Sequence, residues 1–151
     1  KQSAPGYRDL QPDAMPWQLF PGGRLRALAG EWLGVRGPAL TPAAIAYAHL
    51  ELEPGIPFEH ALPTGWTAAL YVLHGEVELG GAMVREGHMG LLSEEGDGLV
   101  LQAVAAASLI LLAGRPLQEP VARGGPFVMN TEAEIHQAFA DYRAGRMGTL
   151  D

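Results

Sequence analysis

The chain contains no cysteine. Disulfides, zinc–thiolate sites and thiol nucleophiles are therefore excluded, and a reducing cytoplasm is the default expectation. Lysine is almost missing as well: Lys1 stands alone against nine arginines. No glycine-rich phosphate cradle can end on a lysine, so a P-loop is excluded. The only serines are Ser3, Ser93 and Ser108, and none sits in a Gly-x-Ser-x-Gly elbow. Long apolar runs are absent too. The longest, Val100 to Ala113, is interrupted by Gln102 and Ser108 and falls short of the ~20 residues of a membrane span. The N-terminal stretch carries proline, glycine and charge where a signal peptide would carry an apolar core. Positive charge is scarce: the net charge of −7 repels phosphate backbones. Neither a nucleic acid nor a membrane is expected as a partner. The arginine bias, with abundant alanine and glycine, fits a GC-rich bacterial genome. The chain opens on lysine instead of methionine, which fits a fragment or a processed product.

Glycine and proline, in contrast, are plentiful, at 20 and 12 residues in a chain of 151. That length predicts one domain, able to bury about 70% of its unfolded surface without a disulfide or metal. Pro5, Pro12, Pro16 and Pro21 make residues 1–21 an extended arm, since each removes an amide donor and disfavours helix. Gly22-Gly23 gives a turn, Arg24 to Leu28 a short strand, and the glycines of residues 30–38 a loop. From Ala43 to Glu53 strict alternation returns. Ile45, Tyr47, His49 and Glu51 face one side of that strand, and Ala46, Ala48, Leu50 and Leu52 the other. Trp66 to Leu73 follows a second loop, and His74-Gly75 turns the chain into Glu76 to Leu79. Gly80-Gly81 suits a hairpin. Ala82–Val84, Met89–Leu92, Leu99–Val104 and Ser108–Ala113 continue the series. Many short strands between turn signals predict an all-β sandwich or barrel, over residues 22–128.

One helix is expected, in residues 129–151. Thr131 and Glu134 have capping-box spacing, and Ile135, Ala138, Phe139 and Tyr142 share one face. Arg143 in the last turn and Gly145 beyond it complete the pattern. Phe139 and Tyr142 are expected to pack this helix on the barrel.

Chemistry-bearing groups are sparse. The five histidines are His49, His60, His74, His88 and His136, and none forms His-x-His or His-Glu-x-x-His. Each reads as a loop, turn or surface residue. Glu59 and His60 are adjacent, so in an extended segment they point apart. Glu94, Glu95 and Asp97 cluster in a turn whose spacing does not match a calcium loop. Trp17, Trp32 and Trp66 are dispersed, as core or interface residues are. Tyr47, Trp66 and Tyr71 could line a pocket at a barrel mouth.

The densest signal lies near the end: Gly114-Arg-Pro-Leu-Gln-Glu-Pro-Val121, then Gly125-Pro-Phe-Val-Met-Asn-Thr131. With Pro5-Gly-Tyr-Arg-Asp-Leu10, residues 29–38 and Leu70 to Leu79, it resembles the C-terminal half of the pirin family, which are two-domain cupin proteins. The resemblance implies a cupin-type β-barrel, or double-stranded β-helix, with one C-terminal α-helix. It also implies an N-terminal cupin domain as partner, holding iron or a similar metal through histidines and a glutamate. Some members resemble quercetin 2,3-dioxygenases, and animal members are linked to transcriptional co-regulation. In this chain the corresponding positions count back from Gly75 to Ala68 for the glutamate and to Ala61 and Pro63 for two histidines. His88 is adjacent to Gly87, too early for the remaining one. No metal, no cofactor and no catalytic residue are therefore expected here.

Two readings follow. The chain is a non-catalytic half that supports a metal-bearing domain, with Pro120, Gly125, Pro126, Phe127, Met129, Asn130 and Thr131 as structural or interface residues. Phe127 and Met129 then face one side of a crossover and Val128 the other. Alternatively it is a stand-alone module that binds a small molecule or a protein. An independent enzyme fits least. A barrel separated from its mate exposes an apolar face, which predicts self-association.

Overall fold

The computed structural model describes residues 1, 3, 6–93 and 95–148. Contacts divide the chain into two compact units, Leu10–Pro116 and the pair of segments Lys1–Asp9 and Leu117–Asp151.

Among the described residues, the larger unit holds twelve strands: β1 (Gln18–Phe20), β2 (Gly23–Ala29), β3 (Glu31–Trp32), β4 (Val35–Arg36), β5 (Ile45–Leu52), β6 (Phe58–Ala61), β7 (Thr67–His74), β8 (Glu76–Leu79), β9 (Ala82–Arg85), β10 (Met89–Leu91), β11 (Gly98–Ala103) and β12 (Ala107–Gly114). Six of them form a sheet in the order β1-β2-β5-β12-β7-β10, and four form a second in the order β6-β11-β8-β9. Every pairing within these sheets is antiparallel. The alternation read in β5 holds residue by residue: Ala46, Ala48, Leu50 and Leu52 are buried while their neighbours are not. Inward residues of both sheets meet in a single core that includes Leu25, Leu50, Leu70, Val72, Val77, Leu101, Leu109 and Leu111. Buried apolar surface of this kind stabilises by about 25 cal/mol per Å².

Several connections differ from the sequence reading. Residues 30–38 are not an open loop. They contain the β3–β4 hairpin, whose turn residues Leu33 and Gly34 both have positive φ, at 49° and 78°. The hairpin carries Trp32 into the core with no exposed surface, and its indole N–H donates to the Ala29 carbonyl at 3.1 Å. The loop before Gly65 contains β6, which was not expected between flanking prolines. The turn at His74-Gly75 does not close a hairpin. Strand β7 belongs to the six-stranded sheet and β8 to the four-stranded one, so Gly75 is the corner at which the chain changes sheets. Its φ is +78°, and a Cβ there would stand 2.5 Å from the Ala106 carbonyl oxygen. Only glycine fits both constraints. The Gly80-Gly81 hairpin is as expected, closing Leu79 against Ala82. The last residues of the N-terminal arm form β1, an edge strand paired with β2.

In the smaller unit, β13 (Ala122–Gly124) pairs with β14 (Phe127–Met129), and α1 spans Glu132–Arg143. The expected crossover is thus one arm of a tight hairpin, turned by Gly125 at φ +52°. Thr131 caps α1 with a full capping box: its hydroxyl accepts from the Glu134 N–H, and the Glu134 carboxylate accepts from the Thr131 N–H at 2.9 Å. Gly145 follows the Ala144 cap at φ +69°. Phe139 meets Phe127 edge-on, with ring centres 5.0 Å apart, and Tyr142 lies beside the same ring. Ile135 packs so closely under Gly124 that a Cβ there would stand 2.5 Å from its Cγ2. Among the described residues, no helix is long and apolar enough to cross a membrane.

Candidate functional site

The positions at which a cupin holds its metal are the first to test. Ala68 points inward from β7, is 4% exposed and belongs to the aliphatic core. Ala61 and Pro63 carry no donor atom, and both are exposed. His88 is exposed on the turn after Gly87, its Nδ1 3.0 Å from the Glu86 carbonyl oxygen. A tight transition-metal site needs three or four nitrogen, oxygen or sulfur ligands converging on one point. Among the described residues, no group of three His, Cys, Asp or Glu is placed to hold a metal ion. The described residues at these positions therefore offer no ligand set for iron or a similar ion. Of the acidic turn, Glu94 lies outside the described residues; Glu95 and Asp97 are exposed.

His74 and His60 have local partners. His74 Nδ1 lies 3.0 Å from the Glu86 carboxylate at the sheet-changing corner. His60, on β6, stacks on the Trp32 indole with ring centres 4.5 Å apart and lies parallel to Phe58. Burial against these rings holds its pKa below the ordinary histidine value. As its neighbour in an extended strand, Glu59 points the other way and is exposed. His136 is exposed on α1.

The outer face of the six-stranded sheet concentrates more chemistry than any site in the core. Register places Arg24 opposite Glu51, Arg26 opposite His49 and Tyr47 opposite Leu112. Trp17, just before β1, lies under both guanidinium groups, with the Arg24 and Arg26 carbons 4.4 and 4.6 Å from its ring centre. Its ring also meets His49 at 5.0 Å. Arg24 is engaged with Glu51, donating from Nε and Nη2 to the same oxygen at 2.6 Å. His49 Nε2 lies 2.8 Å from the Ser108 hydroxyl. Burial lowers the His49 pKa; Glu51 opposes that, while Arg26 and Arg24 add to it. Arg26 has no such partner. Its Nε is buried without a hydrogen-bond acceptor, alone in this respect among the described side chains.

Across the same face, polar residues give way to apolar ones. Ile110 is paired with Tyr71, and Tyr71 with Met89; Leu112 is paired with Ala69, and Ala69 with Leu91. Leu91 and Met89 are exposed by 75% and 57%, and Ile45, Tyr71 and Leu112 are also exposed. Tyr47 and Tyr71 thus stand on this face, whereas Trp66 packs against the core. The structure brings Tyr47 and Tyr71 onto one surface but does not bring Trp66 to them. Sequence reasoning missed the cluster of Trp17, Arg26 and His49. Its only signal was the alternation Arg24-x-Arg26 and Tyr47-x-His49-x-Glu51, which defines faces but not neighbours.

Two clefts adjoin these surfaces. One, of about 510 Å³, borders Arg24, Glu51, His74 and Ser108 at the polar edge of the outer face. The other, of about 470 Å³, opens between the sheets and is lined by Leu79, Val84, Gly90, Leu92, Leu99 and Val100, among others.

The residues of the closing motif act locally. Pro120 offers its carbonyl and Asn130 its Oδ1 to the Lys1 ammonium, which also lies 3.2 Å from Glu119. Gly125 and Pro126 make the turn, Phe127 and Met129 point to one side of β14, and Val128 is exposed on the other. Thr131 is the helix cap already described.

The model of the pirin C-terminal cupin domain matches residues 47–148. Pirin of Mus musculus is 33% identical over 153 residues, covering 98% of this chain and 53% of the relative. A pirin-like protein of Solanum lycopersicum is 34% identical over 152 residues, covering 98% of this chain and 52% of the relative. The crystal structure of a quercetin 2,3-dioxygenase from Acinetobacter baumannii superposes with a TM-score of 0.87 at 31% identity, over 97% of this chain and 52% of that one. The chain spans about half the length of the curated relatives it matches. The two-sheet core, the capped terminal helix and the matched sequence agree, and the chain belongs to the pirin family, as its C-terminal cupin domain.

Proposed function

We propose that this domain is the metal-free, supporting half of a two-cupin protein. Its partner is a preceding cupin domain of the same polypeptide, which holds iron or a similar metal and carries quercetin 2,3-dioxygenase-like chemistry. One observation carries this reading. Ala68 occupies the glutamate-ligand position of the cupin pattern, and its methyl group is embedded in the aliphatic core. A packed core with no donor at that point can transmit rigidity but cannot activate a substrate. The half-length of the chain relative to its family supports a second domain.

The surface offered to that domain is the outer face of the six-stranded sheet. It is apolar along β12, β7 and β10, and polar at the β1–β2–β5 end, as a domain interface with a polar rim is. Metal analysis and oxygen-uptake assays with quercetin on the natural polypeptide test the division of labour. One metal ion per polypeptide is expected, with activity lost when it is removed. Two ions per polypeptide, one retained by this domain, would refute it.

The 470 Å³ cleft favours a second reading, a module that binds an apolar small molecule between its sheets. Saturable displacement of a fluorescent apolar dye, abolished by Val84→Trp, would support that alternative.

A further inference from the structure

We infer that the Trp17–Arg26–His49 corner of the outer sheet face is the seat of a carboxylate supplied by the preceding cupin domain. This inference rests on the reading that the outer face docks that domain. Arg26 is half-buried, and its Nε is out of contact with water and without an acceptor. Its own partner across the register is His49, and the acid two residues along β5, Glu51, is taken by Arg24. No carboxylate pairs with Arg26 among the described residues, although the chain carries an excess of seven negative charges. The Arg26 guanidinium carbon lies 4.6 Å from the Trp17 ring centre, a cation–π contact that restricts the side chain before any partner arrives.

Covering the adjoining apolar row would remove still more water from this corner. A lone guanidinium is then strongly disfavoured, and a planar, two-oxygen acceptor satisfies it best. His49 shares this corner. Burial first, and then Arg26 and Arg24, lower its pKa against the pull of Glu51, and a carboxylate placed beside Arg26 would offset the two arginines. The groups facing His49 are Trp17, Arg24, Arg26, Glu51 and Ser108. An acidic side chain at the rim of a docked domain is thus the occupant that charge and geometry select.

The test compares the natural polypeptide with this chain, using methionine oxidation as a footprint. Met89 on the outer face is the reporter, and Met83 on β9 of the other sheet is the internal control. Met89 is expected to be protected in the natural polypeptide and reactive in this chain at dilutions where the chain is monomeric. Arg26→Leu is expected to raise Met89 reactivity in the natural polypeptide by about 30-fold or more, the usual effect of breaking a buried charge pair. Arg26→Lys should fall between, and Met83 reactivity should be unchanged in both variants, which shows that the barrel remains folded. Equal Met89 reactivity in the natural polypeptide and this chain would overturn the docking reading itself. Protection that survives Arg26→Leu would leave docking intact and overturn the carboxylate seat. Acetate alone, shifting the Arg26 Nε–H resonance equally in both proteins, would make the corner a small-anion site and overturn it too.

Discussion

Replacing Gly75 with alanine isolates the corner on which the two-sheet fold depends. Two penalties are expected, and each can be sized from the structure. Gly75 sits at φ +78°, where an L-residue costs about 1–2 kcal/mol. The added methyl carbon would also stand 2.5 Å from the Ala106 carbonyl oxygen and 3.1 Å from the Ala107 Cα. Both neighbours are backbone at the start of β12, so relief requires a backbone shift of the kind that costs ~1–3 kcal/mol in packed interiors. The total is ~2–5 kcal/mol. Gly87→Ala provides the control. Its φ of +76° is nearly identical, but nothing lies within 4 Å of the position a Cβ would take. That variant should lose only the conformational part, ~1–2 kcal/mol. Urea unfolding followed by circular dichroism measures both, and with slopes of ~1–3 kcal/mol per molar the two midpoints should differ by roughly 1 M. Equal losses in the two variants would refute the argument that the Ala106–Ala107 backbone crowds this corner.

Further outcomes follow from the same physics. His60 has its pKa depressed by burial, so the unfolded chain binds a proton that the folded one resists. Stability is therefore expected to be full above the unfolded value of about 6.5 and to fall as pH drops through the folded value. His60→Phe should flatten that slope in unfolding curves collected between pH 5 and 8, conditions spanning the ordinary histidine titration. Thr131→Ala removes the hydroxyl that caps α1 and should lower the stability of that helix by ~1 kcal/mol, seen as faster amide exchange at Glu134. Trp32→Ala empties a fully buried site and should cost ~3–5 kcal/mol in thermal unfolding. The isolated domain, with Met89 and Leu91 exposed, should self-associate. Light scattering would show a mass that rises with concentration, and Leu91→Glu should return a monomer.

Local patterns carried much of the architecture. The alternation of β5, the Gly80-Gly81 turn and the Thr131/Glu134 spacing each encode their structure within a few residues, so each was legible. What the sequence concealed was non-local. Nothing in Leu70 to Leu79 says that β7 and β8 join different sheets, because a corner and a hairpin both require glycine at positive φ. Strand β6 was hidden by prolines at 57 and 63, which end a four-residue strand as readily as they mark a loop. The β3–β4 hairpin looked like a loop because its two-residue turn places the non-glycine Leu33 at positive φ, a conformation that sequence disfavours. The outer-face cluster depends on register across β1, β2 and β5. Trp17, Arg26 and His49 are far apart in sequence and become neighbours only when those strands pair.

The central claim is that this domain supports metal chemistry without holding the metal. Purified chain, incubated with ferrous iron under anaerobic conditions and desalted, should carry no stoichiometric metal by inductively coupled plasma mass spectrometry. One firmly bound iron per chain would contradict the account.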